Sequence, residues 1–387
     1  MPAFASNDAE TPANLVVPIQ DGERYSRQVL FAGIGEAGQQ LLGQAHVAIV
    51  GVGATGAATA GLLARAGVGH LTLIDRDFVE PSNLQRQMLF DEDDARAALP
   101  KAEAARLHLA RINSGVDVTA HIADLVPHNA AELLSTADIV LDCTDNFETR
   151  YLINDLCVRD GRPWIYAAAV GAYAATMNIL PRGIAHSEPS TPPLSLSSTL
   201  YPLSPVLPTA CLACIFPSTP SGNIETCDTA GILSTAVNLA ASLQVTEALK
   251  FLTRQPHLMR RSLLSFDLWA PEGRGTLARS EISTASPRPD CEVCGQRIFR
   301  ALSGDQRPHI TLCGRNSVQI HEHHRPIDLA ALQTRLQPLG PVRANGLLLR
   351  FAYPPYTLTV FPDGRALIQG TTDIGLARSL YARFLGS

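Results

Sequence analysis

The chain has 387 residues, 46% apolar and 17% charged, enough for a sizeable core in one large domain with something smaller beside it. A formal net charge of −5 and the lack of a long basic run exclude nucleic acid or an anionic membrane as the expected main partner. No apolar stretch approaches the ~18 residues of a membrane span, and no basic start precedes an apolar run. Neither a span nor a signal peptide is expected, and the location expected is cytoplasmic.

Residues 1–20 read as a flexible leader, and a helix pattern follows over about 25–42. The chain then alternates: strand VAIVGVG, helix 55–66, strand HLTLID, helix 101–113, strand VTAHIA, a short helix, strand ADIVLDCTD. This alternation predicts a Rossmann-like α/β fold, a mostly parallel sheet with helical crossovers. A helix over 146–159 and strands WIYAAAV and YAATMNILP continue it. Residues 184–208, rich in Ser and Pro, break the rhythm and read as a mobile surface loop. A long apolar helix over 229–252 and strand LLSFDLW close a domain expected to span 21–300. Residues 301–387 carry the pattern of a small α+β domain, a βαββα unit with helices over 328–336 and 374–384. Pro362-Asp363-Gly364, between apolar runs, marks a hairpin.

The glycine loop Gly51-x-Gly53-x-x-Gly56 follows a strand and opens a helix, with Asp75 ending the next strand. In that context the glycines admit a phosphate and the acid can bind ribose hydroxyls. The loop alone does not choose between NAD and ATP. Asn83, Arg86 and Lys101 add donors and positive charge, and Asp145 follows a strand end where parallel-sheet ligands bind. Attack at phosphorus needs such groups, whereas a dehydrogenase does not. Singly, Arg86 and Lys101 also read as solvated helix charges, and Asp145 as a helix N-cap near Arg150.

Of eight cysteines, Cys211-x-x-Cys214 and Cys291-x-x-Cys294 have the spacing of a closed, structural Zn²⁺ site that pins the Ser/Pro-rich region to the segment near 290. A redox reading is weaker, because neither pair is expected to open a helix after a strand. Cys227 precedes the long helix, where a thiol is either activated or partly buried and inert. Cys143 and Cys157 read as core residues, and the histidine run at 321–324 as a solvated turn before Pro326.

"RYSRQ" at 24–28, "GVGATG", "DRDFVEPSNLQRQ", Lys101 after Pro100, "DCTDNFETRYLIN" at 142–154 and the two CxxC pairs resemble the ThiF/MoeB/HesA family, relatives of ubiquitin-activating enzymes, over roughly 20–298. The resemblance implies a homodimer that binds ATP and Mg²⁺. It implies adenylation of the C-terminal glycine of a small ubiquitin-like sulfur-carrier protein ending in Gly-Gly, with release of pyrophosphate. It places Gly51, Gly53 and Gly56 on the phosphate loop and Asp75 on the ribose. Asn83, Arg86, Gln87 and Lys101 then belong to the nucleotide site, Asp145 holds Mg²⁺, and Arg27 reaches into the partner subunit's site. Cys227 matches a cysteine that in some members attacks the acyl-adenylate or takes part in sulfur transfer. Asp77 belongs to the signature without an assigned role. The tail, whose one cysteine Cys313 lies too near its start, is not a rhodanese. Alternatives are adenylation of a short peptide or another small modifier, an NAD-dependent oxidoreductase tolerant of changes at Lys101 and Arg86, and a non-catalytic binding protein.

Overall fold

The four residues VAIV at 47–50 are all apolar because this strand is covered on both faces. It is β1 (His46–Val50), at the centre of a sheet with β2 (His70–Ile74), β3 (Asp117–His121), β4 (Ile139–Asp142), β5 (Trp164–Val170), β6 (Tyr173–Ile179), β7 (Ser262–Asp267) and β8 (Ala278–Ser283). The computed structural model describes residues 21–183, 206–218, 230–270, 278–303, 310–312, 317–320 and 326–385. The expected leader, most of the 184–208 loop, Cys227, Cys313 and the histidine run lie outside the described residues.

The strand order is β3-β2-β1-β4-β5-β6-β7-β8. Pairing is parallel from β3 through β5 and antiparallel from β5 through β8. Alternate side chains feed two cores. Ile49, Leu71 and Leu141 pack with Leu63, Leu109 and Val245 on one face, while Val50, Val140 and Trp164 pack with Leu152, Leu156 and Cys157 on the other. Helix Ala54–Ala66 ends at Gly67, left-handed at φ 80°. Helix Phe147–Asp160 starts at Asn146, whose side chain accepts the Thr149 N–H, and ends at Gly161 with φ 68°.

A second, six-stranded antiparallel sheet comprises β9 (Ile310–Leu312), β10 (Ser317–Ile320), β11 (Val342–Ala344), β12 (Leu349–Tyr353), β13 (Tyr356–Val360) and β14 (Ala366–Gln369), in the order β11-β12-β13-β14-β10-β9. Helices Leu329–Leu336 and Ile374–Leu385 bury Leu332, Leu336, Leu380 and Phe384 against Phe351, Leu358 and Ile368. Among the described residues no helix is long and apolar enough to cross a membrane.

The structure corrects several expectations. The helix expected over 25–42 is two, Ser26–Val29 and Gly35–Gln44, because Gly33 and Gly35 lie at the break and Gly35 is left-handed at φ 61°. The long helix is Ser234–Leu252. It starts late because Ile232 bridges to Gly171 and the Leu233 N–H donates to the Gly171 carbonyl, holding the chain extended. Asp145 is not the N-cap of the following helix, since Asn146 takes that place. The strands expected near 309–321 are β9 and β10, and the unit gains β11, three residues long and too short to show a periodicity. The helix Glu92–Ala97 and the edge strand β8, almost wholly exposed, had no apolar pattern to reveal them.

Candidate active site

Two of the three loop glycines are demanded by the fold itself. A Cβ on Gly51, already at φ 86°, would stand 2.8 Å from the Cys143 carbonyl oxygen, and one on Gly56 would stand 1.9 Å from that of Gly51. Gly53 differs: the nearest atom to its ideal Cβ is Gln87 Nε2 at 3.9 Å. Its bareness faces open space where backbone can approach a phosphate. Asp75, beyond the end of β2, accepts the Val52 N–H at 2.6 Å and the Asp77 N–H at 2.7 Å. Burial pushes the Asp75 carboxyl up from its ordinary value, and Lys101 pulls against that.

From Asp77 to Lys101 the chain forms a strap over the C-terminal ends of these strands. Lys101 opens the helix Lys101–Ile112 with only 2% exposure, which removes its reading as a solvated charge. Its ammonium lies 3.2 Å from Asp77 Oδ2, and its N–H donates to the Asp77 carbonyl at 2.8 Å. Asn83 is buried in the turn Pro81–Asn83, its Oδ1 accepting the Glu80 N–H at 3.1 Å. Arg86 is half-buried and donates to the Ser82 carbonyl at 2.8 Å. Gln87 is 3% exposed, and its Oε1 is buried with no hydrogen-bond partner among the described residues.

The far wall is the turn after β4. Asp142, fully buried, pairs with Arg150 at 3.3 Å and accepts the Thr144 hydroxyl at 2.7 Å. Burial pushes the Asp142 carboxyl up while Arg150 opposes it. Arg150 also donates to the Thr144 carbonyl at 2.5 Å and stacks over Phe147 and Tyr166. These contacts hold the turn so that Asp145 stands exposed beyond it. Burial works against the Arg76 charge, but Asp124, Asp77 and Asp145 outweigh it and raise its pKa.

Arg27 sits apart from this wall. Tyr25 fills the space beside Gly67 and its hydroxyl accepts from Asn113 at 2.8 Å, while Gln28 donates to the Ala66 carbonyl at 2.8 Å. Those anchors leave Arg27 exposed, next to Leu30 and Phe31 at 74% and 66% exposure.

Over residues 25–293 the chain matches the ThiF family. The chain belongs to the ThiF family. Among its relatives, the sulfur carrier protein ThiS adenylyltransferase of Bacillus subtilis (strain 168) is 44% identical over 367 residues, 94% of this chain and 99% of that one. So extensive a match takes in most of the C-terminal unit of this ThiF-family chain. The SAMP-activating enzyme E1 of Haloferax volcanii is 32% identical over 71% of this chain and 89% of its own. The adenylyltransferase and sulfurtransferase MOCS3 of Drosophila sechellia is 35% identical over 83% of this chain and 67% of its own. The crystal structure of E. coli MccB with AMPCPP and MccA has a TM-score of 0.56 at 24% identity, covering 72% of this chain and 75% of that one, a likeness of fold.

This ThiF-family chain gathers its four paired cysteines in the core on the Val50 and Trp164 face of the sheet. Cys211 Sγ lies 3.9 Å from Cys214 and 3.6 Å from Cys291, and Cys214 lies 3.3 Å from Cys294. All four sulfurs lie within 4.8 Å of one another. A Zn–S length of about 2.3 Å spaces tetrahedral thiolates about 3.8 Å apart, so the donor set fits zinc. Cys211 is the N-cap of a helical turn, Leu212–Ile215, and residues 206–210 before it form no strand.

One positioning residue escaped the sequence reading, and a second was singled out there without a role. Gln244, buried in the long helix, donates to the carbonyls of Asp142 and Ile165, each at 2.9 Å, tying β4 to β5 under the site. A lone Gln in the apolar run LAASLQVTEAL was the available signal. Asp77 is the second, and its role becomes legible only once Lys101 is seen to be buried against it.

Proposed function

We propose that this chain is an adenylyltransferase that transfers AMP from ATP to the C-terminal glycine of a ubiquitin-like sulfur-carrier protein, with pyrophosphate leaving. The observation that carries this reading is the buried Lys101 ammonium, anchored on Asp77 beside a glycine loop whose Gly53 has room for a phosphate. The full-length likeness to a ThiS adenylyltransferase makes a ThiS-type carrier the expected substrate.

In the reaction a glycine carboxylate oxygen bonds to the α-phosphorus and the α–β bridging bond breaks, its electron pair leaving with pyrophosphate. The attacking carboxylate is already ionised, so no general base is required. The chain has to hold two anions together and neutralise the departing charge. Lys101 and Arg86 serve the phosphates, Asn83 and Gln87 orient them, and Asp75 faces the ribose. Asp145 would hold Mg²⁺, which supplies charge neutralisation on the triphosphate. Arg27, exposed on a pinned arm, completes the partner subunit's site in a homodimer. The four cysteines hold a structural Zn²⁺, and the enzyme works in the cytoplasm. A nicotinamide cofactor gives the buried Lys101–Asp77 pair no task.

ATP–pyrophosphate exchange tests the reading, using a carrier ending in Gly-Gly, the same carrier without its last glycine, and an Asp145→Ala enzyme. Exchange that needs both the intact carrier and Asp145 is expected. Tight ATP binding without exchange on any of several carriers would overturn it.

A further inference from the structure

Among the described residues, the C-terminal unit touches the nucleotide-binding domain at the strap between Asp77 and Lys101 and at Ile122. Leu348 and Phe361 form a closed apolar cluster with Phe78 and Ala98, joined by Ile122. Asn345 donates its amide to the carbonyls of Ala97 at 3.1 Å and Ala98 at 3.2 Å. Ala98 is left-handed at φ 49°, an unfavourable conformation for a residue with a Cβ, so an outside bond there holds a turn the strap would not favour alone. The guanidinium of Arg350 lies 4.9 Å above the Phe78 ring and 3.8 Å from the Glu80 carboxylate. Arg365 adds a bond to the Ile122 carbonyl at 2.7 Å.

The contacts on Phe78, Glu80 and Ala98 fall beside polar residues of the strap, whereas the Arg365–Ile122 bond lies outside it. Phe78 follows Asp77 and bridges to Pro100, the residue before Lys101. The Val79 N–H donates to the Leu99 carbonyl at 2.8 Å, closing the strap on itself. Glu80 caps the turn that buries Asn83. A surface that served only to fasten two units would have no reason to select these positions.

We propose that the C-terminal unit is a clamp that holds the Asp77–Lys101 strap in its nucleotide-ready shape, with Arg350 as a positioning residue acting through Phe78 and Glu80 on Lys101 and Asn83. The proposal rests on the adenylation reading for what the strap does, and not for how it is held.

The test uses the full-length protein with Arg350→Ala, Arg350→Lys, and Arg383→Ala as a matched control. Arg383 stacks on Tyr353 and Phe384 wholly inside the C-terminal unit. Binding of Mg·ATP is measured by calorimetry, and ATP–pyrophosphate exchange is measured with a carrier ending in Gly-Gly. Small displacements of phosphate-binding groups cost about ten- to a hundredfold, so Arg350→Ala should raise the Kd and KM for ATP by about that factor. The KM for the carrier should stay within about twofold, Arg350→Lys should recover part of the loss, and Arg383→Ala should match the wild type. If Arg350→Ala does not fold, Asn345→Ala carries the same expectation. Wild-type ATP affinity in the folded Arg350 or Asn345 variant overturns the clamp, as does an equal loss in Arg383→Ala. A wild-type enzyme that binds Mg·ATP but exchanges with no carrier overturns the adenylation reading instead, and the calorimetry still decides the clamp.

Discussion

Lys101 and Asp77 are joined twice, once through the ammonium and carboxylate at 3.2 Å and once through the Lys101 N–H and the Asp77 carbonyl at 2.8 Å. The backbone bond survives any change of side chain, so the two functions of the pair can be separated. Lys101→Ala should lower the exchange rate by about 10²–10³, the usual effect of removing one donor to a developing charge. Asp77→Asn leaves the ammonium without its carboxylate. Because Asp77 keeps 17% exposure, the cost should be about 2 kcal/mol, below the 3–5 kcal/mol of a dry pair. Denaturant titration measures it, and unchanged stability would mean that Lys101 finds another counter-charge.

The loop glycines should respond in opposite ways to alanine. Gly53→Ala has 3.9 Å of clearance and should fold with a melting temperature near the wild type's while losing ATP affinity. Gly56→Ala would set a Cβ 1.9 Å from the Gly51 oxygen and should fail to accumulate as folded protein. Calorimetric ATP binding together with thermal melts checks both. Full ATP affinity in Gly53→Ala would show that the phosphates lie elsewhere.

Asp142 and Asp145 stand three residues apart with opposite surroundings. Asp145→Asn, at an exposed position, should abolish exchange and leave stability within about 0.5 kcal/mol. Asp142→Asn removes the partner of a buried guanidinium and should cost about 3–5 kcal/mol. A destabilised Asp145→Asn would mean that this carboxylate serves the fold.

Two groups should give stability opposite pH dependences. Burial, and then the stacked His70 ring 4.0 Å away, lower the His46 pKa from 6.5. Below about 6.5 the unfolded chain therefore takes up a proton that the folded one resists, and stability falls as pH falls. His46→Gln should flatten that slope. Asp155 is pushed by burial from 3.8 up to about 6, so its contribution is complete below 3.8 and is lost as pH rises through about 6. Asp155→Asn keeps an oxygen to accept the Ala301 N–H, bonded at 2.9 Å, and should gain stability relative to the wild type above pH 6. Melting curves from pH 4 to 8 check both, and parallel curves for wild type and variants would sink the assignments.

Where local pattern and burial agree, the chain is readable without coordinates. VAIVGVG, HLTLID and ADIVLDCTD become β1, β2 and β4 because strands covered on both faces need continuous apolar runs. The helix near 146 shows itself through Asn146 and Gly161 at its ends. The cysteine spacing likewise points to four sulfurs meeting in space. What stays hidden depends on contacts distant in sequence. Lys101 looks like any helix-opening lysine until Asp77 is found beneath it, 24 positions earlier. Asn345 reads as a turn residue, and only the docked fold brings it to Ala97, 248 positions away. The break at Gly33–Gly35 was visible as two glycines, but the flanking apolar residues also suit one continuous helix.

Cys211 and Cys291 lie 80 positions apart, and the chain between them includes the helix Ser234–Leu252 with β7 and β8. A metal held by all four sulfurs would tie off a long loop, and its effect would reach beyond the native state. By analogy with a covalent cross-link over such a span, the restriction on the unfolded chain is worth roughly 4 kcal/mol. An ion captured early in folding would shorten the search that brings β7 alongside β6, since the ends of that loop would already have met.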